Sequence, residues 1–377
     1  MNQHLLAIKA GVSQSLVSKV LSEKRGAIRS STLKLIADAL ETDVQELVNA
    51  GRTMSPPTAA VQKDDLSIEQ TEKFAKPAKS TVQAALAHIE SWFDNQSLVG
   101  IPTGFDDLDR LLMGFENGKL IAVMGRPSLG KTAFSLNIIN HVAVEKKMPV
   151  GMISLDMTAE SAVLRILCMR AKVNIRSLRE GFLAERDFPL LTQAAGRISN
   201  AHLYIDDSPS LTVDDIVARA RRMKSVYGIK LLVIDYMQLI RATSRRAELN
   251  REATVSDISI SLKALAKELM IPVVIVCGLP TSGESQRRAK PSDALDSSVI
   301  AQDADVVLIL EKDHDDDWEN DRTTEDGLVR MKATIWKHRD GPTGAISVRF
   351  NPSLGRFENA PFIAEDDFPS DPEDTNR

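Results

Sequence analysis

Five short apolar runs punctuate the later two-thirds of the chain: "LIAVMG", "VGMISL", "LLVIDY", "PVVIVC" and "ADVVLIL". None of them alternates with polar residues. Both faces are apolar, the pattern of strands in a parallel sheet covered on each side. Helical spacing fills the intervals, so residues 96–362 predict one α/β domain with a mostly parallel central sheet. Upstream, "TVQAALAHIESWF" places Val82, Leu86, Ile89 and Phe93 at helical spacing and predicts a helix within 81–95. Residues 51–80 are polar, carry three prolines and keep no period, which reads as a linker. Residues 1–50 have the pattern of a small all-α domain. The last stretch, 363–377, is acidic and proline-containing, the composition of a disordered tail.

The 377 residues suffice for two domains, and 43% hydrophobic with 26% charged residues is ordinary for a soluble globular chain. The net charge of −5 excludes a generally basic nucleic-acid binder, so any DNA contact has to be local. Cys168 and Cys277 lie far apart without metal-ligand spacing and read as reduced cytoplasmic thiols. No run is long enough to span a membrane, and no signal peptide is seen.

The first apolar run flows into "GRPSLGKT", which fits G-x-x-x-x-G-K-[ST] with Gly125, Gly130, Lys131 and Thr132 at the fixed places. A strand precedes it and "KTAFSLNIINHVAVE" follows as a helix, the context this motif requires. Backbone N–H groups of Gly125, Arg126, Pro127, Ser128, Leu129, Gly130, Lys131, Thr132 and Ala133 (Pro127 lending shape only) would wrap phosphates at the positive end of the helix. Lys131 would meet the β and γ oxygens, and the Thr132 hydroxyl would ligate Mg²⁺. A strand–helix turn that binds nothing is the plainer alternative. Asp235 closes the buried run "LLVIDY", where a second Mg²⁺ ligand is expected; an aspartate there can also merely cap a turn. Asp156 closes "VGMISLD", placed to polarise an attacking water.

These motifs, with "GIPTGFDDLDRLLMGFENGKLIAV", "SLKALAKELMIPVV", "AQDADVVLIL" and "KHRDGPTGAISVRF" in order, resemble the DnaB-type replicative helicases over roughly residues 80–360. The resemblance implies a RecA-like P-loop NTPase that binds ATP and Mg²⁺ and works as a homo-oligomer, a hexameric ring around single-stranded DNA. It implies that the helix at 81–95 docks on the neighbouring subunit. It also implies that Arg339, with Lys337 beside it, reaches the neighbour's ATP as an arginine finger. The alternatives are a helix packed on its own domain and a surface hairpin with solvated charges.

Three positions depart from the family pattern. Asp156 replaces its catalytic glutamate and is one methylene shorter. Gly278 stands where the family has a phosphate-sensing glutamine, with Cys277 and Pro280 at the flanking serine and asparagine. Leu295 and Ser298 occupy the arginine and glycine of its DNA loop, although Arg287, Arg288 and Lys290 lie just upstream as DNA-binding candidates or as a solvated charge run.

The front segment "LLAIKAGVSQSLVSKVLSEKRGAIRSSTLKLIADALETDVQELV" resembles the helix-turn-helix of the Cro and CI repressors. Gly11 would end one helix and Ser13 would cap the next. Burial of Leu16, Val17, Val20 and Leu21 leaves Gln14, Ser15, Ser18 and Lys19 for a major groove of double-stranded DNA. A protein-binding helical module is the other reading, since the segment's charges nearly balance. The expectation is thus a helicase of a phage or mobile element that targets its own origin. The alternative is a nucleotide-gated protein that loads or obstructs a host helicase. The acidic tail is either a solvated end or a contact for host replication proteins.

Overall fold

In the computed structural model, the described residues are 99–241, 251–279, 295–313 and 327–360, with 78, 81–83 and 86. The chain divides into two units, Met1–Glu90 and Ser91–Arg377. Of the first unit, residues 78, 81–83 and 86 are helical, and Val82 and Leu86 are exposed. The front module, the linker at 51–80 apart from residue 78, and the acidic tail lie outside the described residues.

The second unit is built on one nine-stranded sheet in the order β3-β2-β4-β5-β1-β6-β7-β8-β9. The five apolar runs become β1 (Leu120–Gly125), β2 (Val150–Ser154), β4 (Leu231–Asp235), β5 (Val273–Gly278) and β6 (Val306–Lys312). With the short β3 (Leu203–Asp206) they pair in parallel throughout. β7 (Val329–His338), β8 (Gly344–Asn351) and β9 (Arg356–Asn359) then extend the sheet as an antiparallel meander.

The continuous apolar character of the runs follows from two-sided burial. In β1, Ile121 and Val123 belong to one apolar layer and Leu120, Ala122 and Met124 to the other. The first layer is covered by α1 (Asp106–Leu112), α2 (Lys131–Asn140) and α3 (Ala159–Ala171), the second by α6 (Val213–Tyr227) and α7 (Arg251–Leu269). Short helices α4 (Ile175–Glu180) and α5 (Asp187–Ser199) follow α3, and α8 (Leu295–Asp303) precedes β6.

Two features of this frame set the site. Phe134 of α2 stacks on Phe105 with ring centroids 4.7 Å apart and meets Phe357 of β9 edge-on at 5.3 Å. The antiparallel extension thereby braces the helix that opens at Gly130. Register fixes the second. Gly125 pairs with Leu310, Ile121 with Val306, and Val306 with His338. The end of β7 therefore lies level with the start of β1, about 13 Å along the strands from Gly125 at ~3.3 Å per residue.

Candidate nucleotide site

The loop Gly125–Gly130 leaves the C-terminal end of β1 and enters α2 with Gly130 at φ 79°, a left-handed conformation that favours glycine. A Cβ on Gly130 would lie 3.0 Å from the Phe350 ring. At Gly125 an added Cβ would meet the Leu310 carbonyl at 2.9 Å. Both glycines are thus demanded by close approach as well as by the motif. The Lys131 ammonium folds over the loop and donates to the Arg126 carbonyl at 2.9 Å. Burial lowers its pKa, opposed by the negative charge of Asp235 and, if ionised, Cys277.

Asp235 ends β4 beside β2, in register with Ser154. It is 1% exposed, and neither carboxylate oxygen meets a donor in hydrogen-bond geometry. Burial raises its pKa and the charge of Asp156 raises it further; the Thr132 hydroxyl, Lys131 and Arg165 pull it down. A buried carboxylate without good donors is costly unless a cation meets it. Its oxygens, with the hydroxyl of Thr132 nearby, form an oxygen donor set that fits Mg²⁺, which binds through one or two side chains and substrate phosphates. Among the described residues no group of three or more His, Cys, Asp or Glu could hold a metal ion.

Asp156 is exposed in the bend between β2 and α3, on the Asp235 side, as its effect on that carboxyl shows. The expected set Gly125–Ala133, Asp235 and Asp156 is therefore brought together at the C-terminal ends of the parallel strands. Arg165 of α3 is an addition: it belongs to no motif read from the sequence, and its only advance signal is its place on the helix that follows Asp156. Gln238 is another. Its amide donates to the Gly278 carbonyl at 3.1 Å and accepts from the Gly278 N–H at 3.2 Å, tying the turn after β4 to the end of β5.

Lys337 and Arg339 are not in this constellation. The Lys337 ammonium donates to the carbonyls of Ala301 and Gln302 at 2.8 and 2.7 Å, at the C-terminal end of α8. Burial and the nearby Arg339 lower its pKa. Arg339 follows β7 at the opposite end of the strands, with a half-exposed side chain. Neither can reach the loop of its own chain, and an intrasubunit catalytic role for either is excluded by register. Gln14, Ser15, Ser18, Lys19, Arg287 and Arg288 lie outside the described residues, and Leu295 is described only as the first residue of α8. No helix among the described residues is long and apolar enough to cross a membrane.

Comparison with known proteins agrees with this geometry. Residues 100–359 match the DnaB-like helicase C terminal domain. The replicative DNA helicase DnaB of Geobacillus stearothermophilus is 43% identical over 264 residues, covering 70% of this chain and 57% of that protein. The replicative DNA helicase DnaC of Bacillus subtilis is 41% identical over the same shares. The chain thus spans little more than half the length of these relatives. DnaB of Leifsonia xyli is 33% identical, over 93% of this chain and 74% of its own. Among solved structures, an isolated ATPase domain superposes with a TM-score of 0.68 at 29% identity, covering 76% of this chain and 99% of that one. A DnaB-like replicative helicase, solved in a study of its interactions with primase, gives 0.65 at 25% identity over 96% and 88%. The mostly parallel sheet is that of a RecA-like motor domain, and the chain belongs to the DnaB-like helicase C-terminal domain family.

Proposed function

We propose that this chain is an ATP-driven DNA helicase subunit that acts in an oligomeric ring, each ATP held by the Gly125–Thr132 loop of one subunit and Arg339 of the next. One observation carries the reading: the phosphate loop lies at the C-terminal ends of the parallel strands and Arg339 at their N-terminal ends, so a complete site needs two copies. A hexamer fits the family. Exposed Phe182, Phe188 and Leu190, around α4 and α5, offer an apolar surface of the sort that the helix at 81–95 of a neighbour would cover.

Within a site, backbone N–H groups of the loop hold the phosphates and Lys131 exchanges the Arg126 carbonyl for a phosphate oxygen. Asp235 and Thr132 would hold Mg²⁺, whose charge would offset that of the phosphates. Asp156 orients the attacking water, and Arg339 from the next subunit stabilises charge as the γ-phosphate departs. With a carboxylate one methylene short and no side chain at Gly278, turnover is slow for the family; a misplacement of about 1 Å costs on the order of 100-fold.

The resemblance of the sequence of residues 1–50 to the Cro and CI helix-turn-helix supports origin targeting in a phage or mobile element. Gln14, Ser15, Ser18 and Lys19 of this segment contact double-stranded DNA, several copies on one ring acting by avidity. Arg287 and Arg288 follow the single strand in the ring. The deciding measurement is ATP hydrolysis with and without single-stranded DNA, Lys131→Ala serving as blank, together with unwinding of a forked duplex. DNA-stimulated turnover and unwinding are expected. Nucleotide binding with no turnover, indifferent to DNA, overturns the helicase reading in favour of a nucleotide-gated assembly protein acting on a host helicase.

A further inference from the structure

Asp305 precedes β6 at the end of the strands opposite the phosphate loop and is 2% exposed. Its Oδ2 accepts from the Leu120 N–H at 2.8 Å and from the Lys263 ammonium. Its own N–H donates to the Leu120 carbonyl at 2.9 Å. The same residue holds Arg339 twice. The Arg339 N–H donates to the Asp305 carbonyl at 2.9 Å, and Arg339 Nη1 lies 3.5 Å from Asp305 Oδ1. The rest of the guanidinium makes no hydrogen bond among the described residues. Two residues earlier, the grip of Lys337 on Ala301 and Gln302 fixes the approach of the chain.

A guanidinium at the end of four rotatable bonds on an exposed turn is a poor catalytic group unless something limits where it points. Asp305 is well suited to limit it. It is buried, locked to β1 through both its main chain and its carboxylate, and offers one oxygen to the arginine while Lys263 and the Leu120 N–H occupy the other. We infer that Asp305 is a positioning residue for Arg339: it anchors one nitrogen of the guanidinium and leaves the others directed outward for the phosphate held by the adjacent subunit. Asp305 touches neither nucleotide nor DNA. The inference rests on the intersubunit role proposed for Arg339.

The test is a double-mutant cycle in the full-length assembled protein, read as kcat and KM for ATP hydrolysis, with melting temperature and oligomeric state measured alongside. Arg339→Ala is expected to lower kcat about 1000-fold, within the range known for such arginines. Asp305→Asn is expected to lower kcat by roughly 10- to 100-fold with KM changed less than about 2-fold, since each subunit's own phosphate loop is intact. In the Arg339→Ala background, Asp305→Asn should cause no further loss of kcat. If Asp305→Asn fails to fold, Asp305→Glu carries the same cycle, because its longer arm keeps the charge but displaces the guanidinium. A folded Asp305 variant with unaltered kcat overturns the inference, as does a loss that adds in full to that of Arg339→Ala. An Arg339→Ala protein with unaltered kcat overturns the intersubunit reading, and this one with it.

Discussion

Two buried aspartates at opposite ends of the parallel strands have opposite surroundings. Asp235 is 1% exposed with no good donor on either oxygen, and Asp305 is 2% exposed with a backbone N–H, a lysine and an arginine around it. Burial alone does not separate them. What separates them is how much of the carboxylate's demand the fold has met. Asp305 has spent its acceptor capacity on protein groups and can only hold them in place. Asp235 keeps its capacity open at the mouth of the phosphate loop, where a ligand can meet it.

The widest separation is expected from removing each charge. Asp235→Asn should reduce turnover about 1000-fold, the order of effect of losing a preorganised electrostatic partner, as steady-state hydrolysis would read. The same change should raise the melting temperature of the nucleotide-free protein by about 2–4 °C, because it relieves an uncompensated buried charge at a cost of roughly 1 kcal/mol. A fall in melting temperature would mean that Asp235 is satisfied after all. Asp305→Ala should do the reverse to stability and cost about 3 kcal/mol by denaturant titration, since it strands Lys263 and the Leu120 N–H. Folded Asp305→Ala should still bind a fluorescent ATP analogue with near-normal affinity.

The pH response sharpens the contrast. The raised pKa of Asp235 means that its ionised form opposes folding. That penalty is present above the raised pKa and disappears as pH falls through it, in a window above the ordinary aspartate value of about 3.9. Stabilisation by Mg²⁺ with nucleotide should run the other way and weaken on acidification, as the carboxyl takes up its proton. Thermal melts with and without Mg²⁺–ATP across pH would read both trends, and the contribution from Asp235 should vanish in Asp235→Asn. The smallest effect is expected at Gln238. Gln238→Leu removes two hydrogen bonds to Gly278 and should cost about 1–2 kcal/mol, with a larger proportional effect on kcat than on KM if the turn after β4 steadies Asp235.

The open aspartate was legible in the sequence and the saturated one was not. Asp235 ends an apolar run and Gly125–Thr132 sits between a run and a helix, so adjacent residues announce both. The parallel strands were equally readable, because two-sided burial leaves uninterrupted apolar runs. Asp305 had no such signal. Its partners Leu120, Lys263 and Arg339 come from β1, α7 and the end of β7, and they converge only once strand register is set. The resemblance sets Lys337 beside the arginine finger, but the hold of its ammonium on the end of α8 appears only once the chain is folded. Strand β3 escaped notice because four half-buried residues make too short a run to stand out.

Gly278 bears on what the end of β5 can accept as well as on its present chemistry. A Cβ added there would approach nothing nearer than 3.6 Å, and the first atom it would meet is the end of the Gln238 side chain. Its backbone does not adopt the left-handed region that reserves a position for glycine. A side chain at this position would fit without remodelling the strand and would first meet the Gln238 amide, so the end of β5 holds open space beside the turn after β4.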